Sequence, residues 1–95
     1  MAGDKIEDRS ARLRRYLEDA FQPTHLEITD DSHAHAGHSH QGGGHFSVTL
    51  CSGHFEGKSL VERHRMVYGA VAAMMPQDIH ALSIRAFAPT EASGG

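Results

Sequence analysis

Five of the chain's nine histidines fall close together in "SHAHAGHSHQGGGHF", at positions 33, 35, 38, 40 and 45. Neutral imidazole binds borderline divalent metals through one ring nitrogen, and histidines on a glycine-bearing loop can converge on an ion at little steric cost. His33 with His35, and His38 with His40, form two His-x-His pairs able to chelate Zn, Ni or Cu without a preformed core. No Cys-x2-Cys or His-Glu-x-x-His pattern fixes a geometry, so the same residues also read as a solvated spacer. Gly42, Gly43 and Gly44 argue for flexibility rather than a phosphate cradle, because they lead into a strand and not into a helix N-terminus.

The other histidines read differently. His80 stands at the start of a strand, where a side chain is rigidly placed and partly exposed, so structural and functional roles are both open to it. His64, between Arg63 and Arg65, falls on the apolar register of a helix and reads as a hydrogen-bonded core residue. His25 reads as plain surface, and neither His45 nor His54 has an evident partner. Cys51, the only cysteine, excludes an internal disulfide and any multi-thiolate site within one chain; it reads as a packed strand residue in a reducing compartment.

Enzyme chemistry finds no support: there is no nucleophile elbow, phosphate loop, or carboxylate pair set against a nucleophile. Nine Lys and Arg against twelve Asp and Glu leave a formal charge of -3, the wrong sign for most nucleic-acid modules. Titration of nine histidines near pH 6.5 would reverse it on mild acidification, so the sign is a poor guide to partners. No apolar run is long enough to cross a membrane, and Asp4, Glu7 and Asp8 argue against a transit peptide. A soluble cytoplasmic protein is expected, an organelle remaining open.

Periodicity places these residues on elements. Ile6, Leu13, Leu17, Ala20 and Phe21 recur at helical spacing and predict a helix over Asp4–Phe21, stopped by Pro23. Arg12, Arg14 and Arg15, followed by Glu18 and Asp19, read as a solvated, salt-bridged face. "THLEITD" and "HFSVTLC" alternate as half-buried strands able to pair antiparallel. Ser59 and Glu62 stand at capping-box spacing before a second helix, with Leu60, Val67, Val71 and Met74 on one face and Pro76 as its end. "IHALSIRAF" predicts a third strand, with Leu82, Ile84 and Ala86 alternating against Ala81, Ser83 and Arg85. The fold class is α+β in α-β-β-α-β order, a three-stranded sheet covered by helices. One domain is expected over 10–90, with a histidine-rich loop at 31–44, a lead-in at 1–9, a flexible tail at 91–95, and fraying from Pro89 onward.

The stretch "HFSVTLCSGHFEGKSLVERHRMVYGAV", then "IHALSIRAFAP", with "HLEITDDS" ahead of the loop, closely resembles the BolA family. The resemblance implies a type II KH-like sandwich with a helix-turn-helix-like surface. It also implies a non-enzymatic partner that forms a heterodimer with a monothiol glutaredoxin and shares a [2Fe-2S] cluster in iron-sulfur trafficking or iron-responsive regulation. Glutaredoxin and glutathione would supply thiolates, and the isolated chain is expected to carry no cofactor. The family's ligand positions fall on His80, in "IHAL", and on a loop histidine; the spacing after Ser32 selects His35, with His33, His38 and His40 as stand-ins. Lys58, Arg63, His64 and Arg65 would form a partner or nucleic-acid surface. Two other readings stay open, a DNA-binding transcriptional regulator using that surface and a divalent-metal buffer using the loop.

Overall fold

Asp8 opens the first helix: its carboxylate accepts the Ala11 N–H at 2.8 Å and its carbonyl accepts the Arg12 N–H at 3.1 Å. In the computed structural model, which describes residues 8–31 and 44–93, helix α1 therefore runs Arg9–Phe21 and begins later than the periodicity suggested. Leu13, Leu17 and Phe21, spaced by four, are its buried stripe, whereas Ala20 is exposed. Gln22 ends the helix in the left-handed region at φ 43°, its backbone N–H returning to the Glu18 carbonyl.

Strand β1 (His25–Asp30) pairs antiparallel with β2 (Gly44–Cys51), and β2 pairs parallel with β3 (Ile79–Phe87), giving the order β1-β2-β3. The parallel pair needs a crossover, supplied by α2 (Leu60–Ala70). Burial alternates along β2, with Phe46, Val48 and Leu50 facing the helices. These three join Leu13, Leu17, Phe21, Val67, Val71, Met74 and Leu82 in one apolar core. The opposite face of the sheet carries His45, Ser47 and Thr49 on β2 and Ser83 and Arg85 on β3, all exposed or half-buried.

Helix α2 meets one expectation and departs from two. Its capping box is present, with the Ser59 hydroxyl accepting the Glu62 N–H at 3.1 Å and the Glu62 carboxylate accepting the Ser59 N–H at 2.8 Å. That second bond, first among its causes, lowers the Glu62 pKa below the usual carboxylate value. The helix nevertheless stops at Ala70, ahead of Pro76, and a 3₁₀ turn at Ala72–Met74 follows. Side chains three apart eclipse in a 3₁₀ turn, so Val71 and Met74 both reach the core. Leu60 does not join Val67 on the buried face: it is 67% exposed, and Arg63, 5% exposed, holds the inward position of the first turn. The tail does not fray at Pro89, because Pro89–Ser93 forms a short helix, α3, whose Glu91 meets Arg63.

Candidate metal centre

β3 does not keep its alternation to its first residue. Gly44 pairs with Ile79, but His45 pairs with Ala81, so β3 advances two residues where β2 advances one. His80 is the extra residue of this bulge. Counted back from Leu82, strict alternation would send His80 to the core face and Ile79 outward; instead Ile79 is fully buried and His80 is exposed. A bulge re-aims a side chain in this manner. His80 thereby joins His45 on the outer face, where the two rings lie 5.6 Å apart between centroids at 34°.

The start of β3 is held from three sides. The Asp78 N–H donates to the Met74 carbonyl at 2.8 Å, its own carbonyl accepts the Gly44 N–H at 2.9 Å, and its carboxylate accepts from Arg12 Nη1 at 2.8 Å, with Arg9 3.9 Å away. The Asp31 N–H donates to the His45 carbonyl at 2.7 Å, and Ser47 donates to the Asp31 carboxylate. Asp31 and Gly44, the flanks of the histidine-rich loop, therefore meet at the same end of the sheet as His80. His33, His35, His38 and His40 lie outside the described residues. Among the described residues, no group of three or more His, Cys, Asp or Glu is placed to hold a metal ion. His80 would thus be one ligand of a set completed by other donors. Cys51 cannot be among them: it is 6% exposed and closes β2 seven residues beyond Gly44, about 23 Å along the strand at the usual rise.

The surface expected from Lys58, Arg63, His64 and Arg65 does not assemble as a unit. Lys58, His64 and Arg65 are exposed. Arg63 is buried and already bonded: Nε donates to the Lys58 carbonyl at 2.9 Å, Nη1 to the Ala86 carbonyl at 3.0 Å, and the two Nη atoms to the Glu91 carboxylate at 2.6 and 2.8 Å. The sequence reading had these neighbours reversed, with His64 inside and Arg63 outside. A buried guanidinium is tolerated because every face of it finds an acceptor, while its methylene stem packs like an apolar chain. The pairing, through the hydrogen bond to Glu91 first, raises the Arg63 pKa further and holds Glu91 at about 2. This cluster sits against Ala86, six residues along β3 from His80 or about 20 Å at the usual rise, so the basic surface and the histidine end are separate.

The remaining histidines resolve simply. His54 Nε2 is 3.0 Å from Gln22 Oε1, with its ring edge-on to Phe21, and His25 Nε2 is 3.2 Å from Glu27 Oε2. The Phe21–His54 contact joins the end of α1 to the turn after β2, which Ser52 also ties by donating to the Phe21 carbonyl at 2.7 Å. The expected salt-bridged face of α1 is partly present, in the Arg14–Glu18 pair at 3.4 Å. Sequence reasoning missed His45, although its "HF" setting placed it one residue before a core phenylalanine and hence on the outer face.

The family model described as "BolA-like protein" matches residues 17–91. The chain belongs to this family. The BolA-like chain is 41% identical over 91 residues to the chloroplastic protein BOLA1 of Arabidopsis thaliana, covering 90% of this chain and 57% of that one. Over 86 residues it is 36% identical to the DNA-binding transcriptional regulator BolA of Escherichia coli (strain K12), covering 87% of this chain and 78% of that one. The solved BolA domain of SufE1 from Arabidopsis thaliana superposes with TM-score 0.79 at 40% identity, covering 92% of this chain and 99% of the domain. This BolA-like chain thus spans little more than half the length of the chloroplastic relative. Among its described residues, no helix is long and apolar enough to cross a membrane.

Proposed function

We propose that this BolA-like chain is a non-enzymatic partner of a monothiol glutaredoxin, sharing a [2Fe-2S] cluster in iron-sulfur trafficking or iron-responsive regulation. The observation that carries this reading is the exposed His80 on its bulge, at the sheet end where the flanks of the histidine loop meet. The donor chemistry fits: His80 offers imidazole from a fixed strand, a loop histidine (His35, or His33, His38 or His40) offers a second, and the incomplete set within this chain suits a cluster whose thiolates come from glutaredoxin and glutathione. The cluster supplies iron whose potential rises when imidazole replaces thiolate. The chain's own residues hold the geometry. Asp78, pinned by Arg12 and Gly44, anchors the bulge, so the backbone that carries His80 is already ordered before binding. The names of the plant relatives make an organelle as suitable a site of action as the cytoplasm. Mixing the chain with a monothiol glutaredoxin, glutathione, iron and sulfide should give a heterodimer with altered visible absorption and dichroism; persistence of the glutaredoxin homodimer's spectrum at excess of this chain would overturn the reading.

A second reading, DNA-binding transcriptional regulation, is favoured by the similarity to the Escherichia coli DNA-binding transcriptional regulator and by exposed Lys58, His64 and Arg65 around the start of α2. Arg63 is withdrawn from this surface by its burial. Retardation of a promoter fragment should then fall steeply with salt; retardation that ignores salt, or is absent at low salt, counts against it. The loop as a divalent-metal buffer is the third use of the same histidines, tested by calorimetry with and without the loop imidazoles.

A further inference from the structure

We propose that the outer face of the sheet holds a binding site for a neutral planar heteroaromatic ring that bears an exocyclic amine and has the size of a purine base, sandwiched between His25 and Phe87 over Cys51. The site lies at the end of β2 remote from His80 and goes beyond cluster sharing. It begins with an anomaly of burial. Cys51 follows Leu50, which faces the helices, so alternation turns Cys51 to the opposite face. His45, Ser47 and Thr49 on that face are half-buried, yet Cys51 is 6% exposed. Register supplies the cause: Cys51 pairs with His25 on β1 and with Phe87 on β3, so the thiol is a floor between two aromatic side chains. Thr24, Thr49 and Glu91 complete a cavity of about 460 Å³ over it. Small-molecule sites span about 300–1,000 Å³.

Dimensions and polar groups select the ligand. Strands about 4.8 Å apart put the His25 and Phe87 backbones about 9.6 Å from each other across β2. A flat ring touches each wall at about 3.5 Å and needs walls about 7 Å apart, a gap that the two side chains reach by leaning in about 1.3 Å each. Phe87 is a large apolar side chain left 36% exposed, and the His25 imidazole is steadied by Glu27, whose Oε2 lies 3.2 Å from its Nε2. The Thr49 hydroxyl has no hydrogen-bond partner among the described residues and offers both a donor and acceptors. Glu91 Oε1 is taken by Arg63 Nη1 and the Ala88 N–H, but Oε2 accepts only from Arg63 Nη2, which leaves one lone pair for an amine N–H. No Lys or Arg is among the described residues lining the cavity, so a phosphate finds no counter-charge there and the ligand is a neutral base rather than a nucleotide.

The test titrates the full chain into 2-aminopurine, whose fluorescence falls when its ring is stacked, with no tryptophan in the chain to interfere. Quenching should saturate at one ligand per chain, and ¹H–¹⁵N spectra should show shifts at the Cys51 and Phe87 amides and the His25 ring, with His64 and His80 unmoved. Phe87→Ala should weaken binding about tenfold or more, because stacking on an aromatic face is the main contact, and Phe87→Leu should not restore it. Cys51→Leu raises the floor into the cavity and should abolish binding. In competition, purine, which lacks the amine, should bind about threefold more weakly than adenine. Thermal unfolding of each apo variant separates lost binding from lost fold, and if Cys51→Leu fails to fold, Phe87→Ala and the location of the shifts decide the matter. No saturable quenching, quenching unchanged by Phe87→Ala in a folded protein, or shifts centred away from Cys51 would overturn the site; equal affinity for purine and adenine would overturn the role given to the amine. Since no glutaredoxin or iron is present, the outcome is independent of whether a cluster is shared.

Discussion

Replacing Arg63 by alanine removes a polar side chain that ties α2 to β3 and to α3. The carbonyl of Lys58 sits at an exposed residue and Glu91 is 45% exposed at its side chain, so water can replace Arg63 at both. The Ala86 carbonyl is the exception, because Ala86 is 6% exposed. Orphaning a buried carbonyl costs about 1–3 kcal/mol. Loss of the packed Cγ and Cδ methylenes costs roughly 1.6 kcal/mol more, and release of the arginine rotamers returns about as much. The net destabilisation of Arg63→Ala is therefore about 1–3 kcal/mol, a fall in Tm of roughly 10 °C for a domain of this size. Arg63→Met keeps most of the stem and should recover only the packing part. Acid titration supplies an independent check. Glu91 is held at about 2, below its ordinary 4.5, chiefly by Arg63 and then by the Ala88 N–H. A depressed carboxyl pKa stabilises the fold fully above about 4.5 and loses that contribution as pH falls toward 2. Wild type should lose part of its stability across that window, and Arg63→Ala should lose less; salt should reduce the difference, since Glu91 is partly exposed. Urea and thermal unfolding followed by far-UV dichroism at pH 7 and pH 3 read both effects. A Tm for Arg63→Ala within 2 °C of wild type, or an identical acid limb, would refute the reasoning.

Four further outcomes are expected. Ser52→Ala leaves the buried Phe21 carbonyl without its donor and the His54 N–H without its acceptor, and should cost about 1–3 kcal/mol in urea unfolding. Ser59→Ala should cost about 1 kcal/mol and speed amide exchange in the first turn of α2, because the capping box loses its hydroxyl. Leu17→Ala, at a fully buried core position, should cost about 2–5 kcal/mol by the same unfolding assay. In the glutaredoxin heterodimer, His80→Ala should shorten cluster lifetime more than His35→Ala, because His33, His38 or His40 can stand in for a loop ligand whereas His80 is held on its strand; unchanged spectra and lifetime with the apo fold intact would sink the assignment of His80.

Much of the fold was legible because it depends on short-range rules. Leu13, Leu17 and Phe21 at four-residue spacing marked α1, and Phe46, Val48 and Leu50 marked the inward face of β2. Ser59 and Glu62 announced their capping box from spacing alone. Errors arose wherever two residues competed for one buried position. Next to His64, Arg63 won the inward place of α2 through acceptors contributed by Ala86 and Glu91, more than twenty residues away in the chain. The same partners turned a tail expected to fray into α3, and the 3₁₀ turn after Ala70 appeared because Val71 and Met74 share a core that local propensity does not describe.

By itself the sequence determined the types and order of the elements, the family resemblance, and the presence of imidazole donors on both a loop and a strand, since each depends on residues near one another in the chain. Only the tertiary structure decided which donors face outward together. His80 follows the core parity of Leu82 when read along β3, and its exposure beside His45 arises from a one-residue mismatch between two parallel strands. Strand register is set by pairing with a neighbour, and a slip of one residue exchanges the faces of every side chain before it. Alternation along β3 alone would turn His80 inward, so the partial exposure expected of a strand start is realised only through the bulge.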